Sequence, residues 1–220
     1  MKAIVCTTLG GPELLQFQEV PSAALRPREV RVAVKSAGVN FPDSLQIAGK
    51  YQMKLNPPFT PGAEIAGVVT EIGASVTRLK VGDTIAAFVP FGGYASECVV
   101  AADMALPLPP AFDPADAGGF PLVYGTTLHA LKQRGQLKAG ETLLIQGGSS
   151  GIGLAGAIEL ARAGARVVQA HEMGSGARLA FGCPQDVARV AVAMQAQTLD
   201  RLHIVLVWTL GPRQTSIASY

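Results

Sequence analysis

Hydrophobic and polar positions alternate in short runs through the first half of the chain. In "EVRVAVKSAGVN", Val30, Val32 and Val34 fall on one face, the period of a half-buried strand. "AEIAGVVTEIG", "DTIAAFV" and "GGYASECVV" are further β-rich runs bounded by Gly or Pro. Breaks at such short intervals predict a compact barrel or sandwich. The connections "PPFTPGAE" and "ALPLPPAFDP" are stiffened by proline, which fixes φ.

The period changes near Phe112. Asp113 followed by Pro114 suits an N-cap with proline at the first helical position. Leu128, Ala130, Leu131 and Leu137 then supply a helical apolar face. "TLLIQG" reads as a short buried strand, "GLAGAIELARAG" as a helix and "ARVVQA" as a second buried strand. This order is a βαβ unit, with the right-handed crossover such units take. Beyond it, "PQDVARVAVAMQAQTLDRL" predicts a helix with Val187, Val190, Ala191 and Met194 on one face. "HIVLVW" predicts a third strand, and "LGPRQTSIASY" has little periodicity.

Bulk properties narrow the function classes. The chain has 220 residues, 49% hydrophobic and only 15% charged, enough for one large or two small domains with a substantial core. A net charge of +2 without a basic run gives no footprint for nucleic acid. The N-terminus reaches polar and turn residues too soon for a signal peptide. The longest apolar runs fall short of a membrane span, so a soluble, cytoplasmic protein is expected. Cys6, Cys98 and Cys183 are isolated and read as buried small hydrophobes, not as a disulfide framework or a structural zinc lobe.

The chemistry concentrates in "IQGGSSGIGLAG". Gly151, Gly153 and Gly156 satisfy G-x-G-x-x-G, and Gly148, Gly151 and Gly153 give an overlapping frame. Such a loop turns tightly out of a strand and lets backbone N–H groups approach a pyrophosphate. The next helix adds its positive end. Ser149 and Ser150 supply hydroxyls around Ile152 and its glycines. A purely structural strand-to-helix turn is the alternative. No Lys follows the last glycine, so this is not a Walker loop. Near the end of the second strand, Glu172 favours NAD through ribose hydroxyls and Arg178 favours a 2′-phosphate. Two solvated loop charges are the third reading.

The order of motifs resembles the medium-chain dehydrogenase/reductase superfamily, in its zinc-free quinone oxidoreductase family. The matching stretches are "GGPELLQFQEVP", "AGVNFPD", "GKYQ", "PFTPGAEIAGVVTEIG", "VGDTIAAF", "GGYAS", "YGTTLHAL", "LKAGETLLIQGGSSGIGLA" and "ARVV". They run from residue 1 to about 170. The resemblance implies an α/β plus β fold. A GroES-like β-rich substrate domain would cover residues 1–118, and a partial Rossmann domain residues 119–220. The cofactor, NADPH with NADH left open, would lie in the cleft between them. The expected reaction is hydride transfer to a quinone or an α,β-unsaturated carbonyl.

By the same resemblance, Asn40 and Tyr51 would line the nicotinamide end as catalytic residues, and Thr126 would bond its side. Gly148, Ser149, Ser150, Gly151, Ile152 and Gly153 would hold the phosphates. Asn40 as a turn cap, Tyr51 as a surface aromatic and Thr126 bonded to its own helix are the structural alternatives, and Thr127 leaves the register open. Asp43 is expected to brace the domain. In zinc-containing relatives a Cys stands at the place of Asn40 and a His at that of Ala63. Neither residue here is a typical ligand, Asp43 and Glu64 alone do not make that site, and no metal is expected. His129 and His203 read as packing and tail residues.

The resemblance fades after "ARVVQA", and from about residue 171 the tail is atypical. A shifted reading frame there is favoured over a genuine short variant. Held beside the reductase reading is a catalytically impaired chain acting as a binding module or remnant. Its exposed sheet edge would favour self-association, and a homo-oligomer stays open.

Overall fold

The computed structural model describes residues 1–139, 142–146, 151–162, 166–173, 176–180 and 202–206. The chain divides into two compact units, Met1–Leu122 and Val123–Tyr220.

The first unit is built on antiparallel strands. β1 (Lys2–Cys6) and β2 (Leu15–Glu19) form a two-stranded sheet. β3 (Glu29–Ala37), β4 (Glu64–Ile72), β5 (Thr84–Phe88), β6 (Glu97–Ala101) and β7 (Ala105–Pro107) form a sheet in the order β6-β3-β4-β5-β7. The β3–β4 register slips between Arg31 and Val32 and again between Val34 and Ser36. Such irregularities bend and twist a ladder, so this sheet curls. Its concave core holds Val30, Val32, Ile65, Val69, Ile85 and Val100, spaced at the period of two that the sequence predicts. Fully burying each such side chain is worth about 1.5–3 kcal/mol. On the other face, Ala66 and Ala86 pack on Ala117 of α2 (Pro114–Ala117), so small residues stand where a helix lies close.

Arg31 ties three strands together. Its Nε donates to Glu71 Oε2 and its Nη1 to Glu97 Oε1, each at 2.9 Å, and its Nη2 donates to Ala23 O at 2.9 Å. Hydrogen bonding to Glu71 first, and the charges of both carboxylates, raise its pKa further.

Two local readings of the sequence change. "FPDSLQI" is not part of the strand pattern but forms α1 (Phe41–Ile47), with Asn40 as its N-cap and Pro42 in its first turn. A helix of two turns between strands is too short to show a period of 3.6. The helical stretch after Asp113 is also broken. Asp113 does cap α2, accepting from Ala115 N at 2.8 Å, but Gly118 and Gly119 stop that helix. The chain restarts as α3 (Phe120–Leu128) and widens into a π-helical segment, His129–Arg134.

In the second unit, β8 (Thr142–Gln146), α4 (Gly151–Arg162) and β9 (Arg166–Met173) form the expected βαβ unit, with β8 and β9 parallel. β11 (Leu202–Leu206), the strand expected from "HIVLVW", pairs parallel to β8 on its other side. The sequence did not predict β10 (Gly176–Ala180), which pairs antiparallel to β9. The order is β10-β9-β8-β11. Leu131, Leu143, Ile145 and Ala157 form the core of this unit. Of the helix expected over residues 184–202, only Leu202 is described, and it opens β11; the rest of that stretch and the ending after Leu206 lie outside the described residues. Among the described residues no helix is long and apolar enough to cross a membrane.

A Cβ at Gly67 of β4 would run into the Ala33 carbonyl of the paired strand. Gly67→Ala is therefore expected to destabilise the protein by about 1–3 kcal/mol through overpacking, read as a lower urea midpoint at unchanged slope.

Candidate functional site

The first unit buries a group of polar side chains at the junction of α1, β4 and the loop before β6. Asp43 and Glu64 are only 4% and 1% exposed, and Gln46 is buried beside them on α1. Buried carboxylates are costly unless hydrogen-bonded. Asp43 Oδ2 accepts from Asn40 N–H at 2.8 Å, the backward arm of a capping box, and from the Tyr94 hydroxyl at 2.7 Å. Glu64 Oε1 accepts from Asn40 Nδ2 at 2.8 Å, and its Oε2 accepts from Leu122 N–H at 2.7 Å. Leu122 lies in the first turn of α3, where N–H groups lack intrahelical partners and the helix end is positive.

Gly38 makes this burial sterically feasible. A Cβ there would sit 2.7 Å from Glu64 Cδ, so the backbone of residue 38 leaves the room the carboxylate occupies. Gln46 Nε2 donates to Pro90 O at 3.0 Å and ties α1 to the loop that carries Tyr94. Asp43 Oδ1 and Gln46 Oε1 are buried acceptors without a partner among the described residues.

Electrostatics follow from this geometry. Burial raises the pKa of Glu64. The Asn40 and Leu122 donors pull it back, and the charge of Asp43 raises it again. Burial also raises the phenol of Tyr94, followed by its hydrogen bond to Asp43 and the charges of Asp43 and Glu64. The thiol of Cys98 is pushed up to about 11 by burial, which makes it a core group and not a nucleophile.

The residues singled out from sequence fall in both units. Asn40 stands half-buried at the start of α1. Tyr51 follows its end, with its N–H on Leu45 O at 3.1 Å and its ring half-buried. Thr126 is exposed on α3. Its neighbour Thr127 is buried, with Oγ1 2.9 Å from Val123 O and 3.1 Å from Ile152 O, so Thr127 links α3 to the first turn of α4. Gly151, Ile152 and Gly153 open α4, while Gly148, Ser149 and Ser150 lie outside the described residues. Gly156 faces Thr127, Leu131 and Ile145, where an added Cβ would find carbons at 3.5, 3.7 and 3.8 Å. Glu172 and Arg178 are not loop residues: in the β9–β10 pairing, Glu172 stands opposite Ala177 and Arg178 opposite His171.

The sequence reading gives no site role to Tyr94, which it includes only in the stretch "GGYAS", or to Gln46. A signal existed for Glu64, a lone charge at the head of the apolar run "IAGVV", where only a partnered carboxylate could be accommodated. Among the described residues no three His, Cys, Asp or Glu side chains gather as a metal would need.

Residues 26–110 match the alcohol dehydrogenase GroES-like domain. Over 154 residues the chain is 39% identical to quinone oxidoreductase-like protein 2 of Rattus norvegicus, covering 70% of this chain and 43% of that protein. The chain belongs to the medium-chain dehydrogenase/reductase superfamily, in its quinone oxidoreductase-like family. Among solved structures, a probable oxidoreductase from Mycobacterium abscessus is 36% identical with a TM-score of 0.71, over 93% of this chain and 62% of that one. The quinone oxidoreductase of Thermus thermophilus, solved also with NADPH, is 34% identical with a TM-score of 0.68, over 79% and 54%. The chain thus spans about half the length of the relatives it matches.

Tyr94 tests the buried network. Its raised pKa means that its contribution to stability is full below the ordinary phenol value of about 10 and is lost as pH rises through the folded value. Alkaline absorbance titration is expected to show one tyrosine resisting ionisation at pH about 11 in the folded protein, and Tyr94→Phe to remove that resistant group. The same substitution leaves Asp43 with one donor fewer and is expected to cost about 1–3 kcal/mol in chemical denaturation.

Proposed function

We propose that the chain carries binding elements of a zinc-independent oxidoreductase that uses NADPH to reduce a quinone or an α,β-unsaturated carbonyl. The observation that carries this reading is the opening of α4. A helix starting at Gly151, with Gly153 in its first turn, follows a strand in a parallel βαβ unit. The first-turn N–H groups of Gly151, Ile152 and Gly153 have no intrahelical acceptors and carry the positive end of the helix, which fits a pyrophosphate. Side chains at 151 and 153 would crowd that approach, and glycine has none. Gly148, Ser149 and Ser150 are proposed to complete the loop.

When bound, the reduced nicotinamide supplies a hydride to an electron-poor carbon of the acceptor. The protein's own part is to bind, orient and exclude water. Asn40, Tyr51 and Thr126 are proposed to line the nicotinamide end. Asn40 is held at its backbone by Asp43 and at its side chain by Glu64, so it is preorganised for such a role. Donor chemistry speaks against a zinc requirement. Ala63 has no donor atom, and the Asn40 amide is engaged with Glu64. An enone or quinone carbon is electrophilic enough to take hydride without a Lewis acid, and water or a hydroxyl supplies the proton. NADPH is preferred over NADH by the family likeness and by Arg178, with Glu172 as the opposing residue.

Fluorescence titration of the full chain with NADPH and NADH, followed by quinone turnover, tests the reading. Quenching or energy transfer with NADPH is expected. No signal up to high micromolar cofactor would overturn it. Gly151→Asp places a carboxylate at the α4 N-terminus, which favours the helix but repels phosphate. It is expected to weaken NADPH binding by more than about tenfold, some 1.4 kcal/mol, with no fall in melting temperature.

A further inference from the structure

Asn40 can present its amide in two orientations of nearly the same shape, with nitrogen and oxygen exchanged. Its surroundings distinguish them. Glu64 Oε1, at 2.8 Å from Asn40 Nδ2, and Glu64 Oε2, at 2.7 Å from Leu122 N, both act as acceptors in this geometry. An ionised carboxylate accepts only, so it takes the NH2 end of Asn40 and turns the oxygen away. The oxygen end makes no cap bond to α1, whose Asp43 N–H goes to the Asn40 backbone carbonyl at 3.0 Å. Asp43 Oδ2 holds the Asn40 N–H at 2.8 Å and fixes the backbone that carries the amide. Glu64 cannot adjust by turning, because its second oxygen is committed to a backbone N–H of α3 and Gly38 closes over its side chain.

We infer that Glu64 is a positioning residue whose function is to lock the Asn40 amide in one orientation, so that a ligand at Asn40 meets its N–H and C=O in a fixed order. A nicotinamide carboxamide is the ligand chemistry such an order would read, since it too carries one donor end and one acceptor end. That consequence rests on the function proposed above; the lock does not.

The lock makes a pairwise prediction. In Glu64→Gln the side-chain oxygen stays on the Leu122 N–H, because that donor cannot move. The new NH2 then faces Asn40, which must turn over to offer its oxygen. In Asn40→Asp two carboxylates face each other. In the double variant the new amide at position 64 donates to the new carboxylate at position 40 while still accepting from Leu122, so each group again meets its complement.

The experiment uses the full chain at pH about 8, above the ordinary carboxylate range. It compares wild type, both single variants and the double variant by thermal melting, by the side-chain amide resonances of Asn40 in 1H–15N spectra, and by NADPH titration. The expected results are four. Glu64→Gln stays folded with shifted Asn40 amide resonances. Asn40→Asp lowers the melting temperature. The double variant recovers part of that loss. NADPH binding weakens on the order of tenfold in Glu64→Gln, the size of one lost hydrogen bond. A double variant whose loss equals the sum of the singles, or Asn40 resonances unmoved in Glu64→Gln, overturns the lock. If wild type binds NADPH and Glu64→Gln binds it equally well, the ligand-ordering role is overturned while the proposed function stands. If wild type binds no NADPH, the proposed function fails, and coupling and resonances still decide the lock.

Discussion

A carboxylate taken out of water must be met by donors, and Glu64 organises its part of the first unit around that requirement. Left without partners, such a group would cost several kcal/mol or take up a proton. Here one oxygen draws the amide of Asn40 and the other draws the first turn of α3. The position of α1's N-cap and the start of α3 are therefore both referred to the head of β4. Asp43, held by Tyr94, performs the same service for the backbone of Asn40. The two acids make a group of acceptors, met by the Asn40 N–H and amide, the Tyr94 hydroxyl and the Leu122 N–H. Directional bonds of this kind specify geometry more sharply than apolar packing does, which makes the cluster suited to hold the Asn40 side chain still.

The strands of the first unit are readable because period two survives wherever one face is buried. Val30 and Val32, or Ile65 and Val69, keep their spacing from sequence to sheet. α1 is not readable that way, since seven residues hold barely two turns; its signal is local, in Asn40, Pro42 and Asp43. The βαβ unit is readable because its strands are continuous apolar runs with glycines between. β10 is not, because "GARLA" has neither alternation nor a bounded apolar run. At the site, motif order points to Asn40 and Tyr51. Tyr94 belongs to the same cluster only through a contact between residues 51 positions apart, which no local pattern carries. Which of Thr126 and Thr127 is buried is hidden for the same reason. A step of about 100° on a helix decides which hydroxyl faces Ile152, and neighbouring identical residues leave that step invisible in the sequence.

The sheet of the first unit adds a mechanical constraint. Its two register slips sit on either side of Val32 and Val34, so the curl is concentrated in the middle of β3 and not spread along it. Arg31 stands at one of these slips and bonds carboxylates on both neighbouring strands. The bend and the charge cluster coincide, and together they hold strand directions that a flat ladder would not keep. The other end of β3 leads directly to Gly38 and Asn40, so the curvature also sets where the polar cluster begins.

Gly38 has a consequence for how this cluster can change over generations. Its missing side chain is filled by the Glu64 carboxylate, and that carboxylate in turn dictates the amide at position 40. Residue 38 cannot acquire a side chain while position 64 is long. A shortened residue 64 removes the partner that Asn40 faces. Viable routes through these three positions are therefore ordered, with position 64 moving before 38 and together with 40. A side chain at 38 is thus reached only through a joint change at 64 and 40, and no single substitution opens that route.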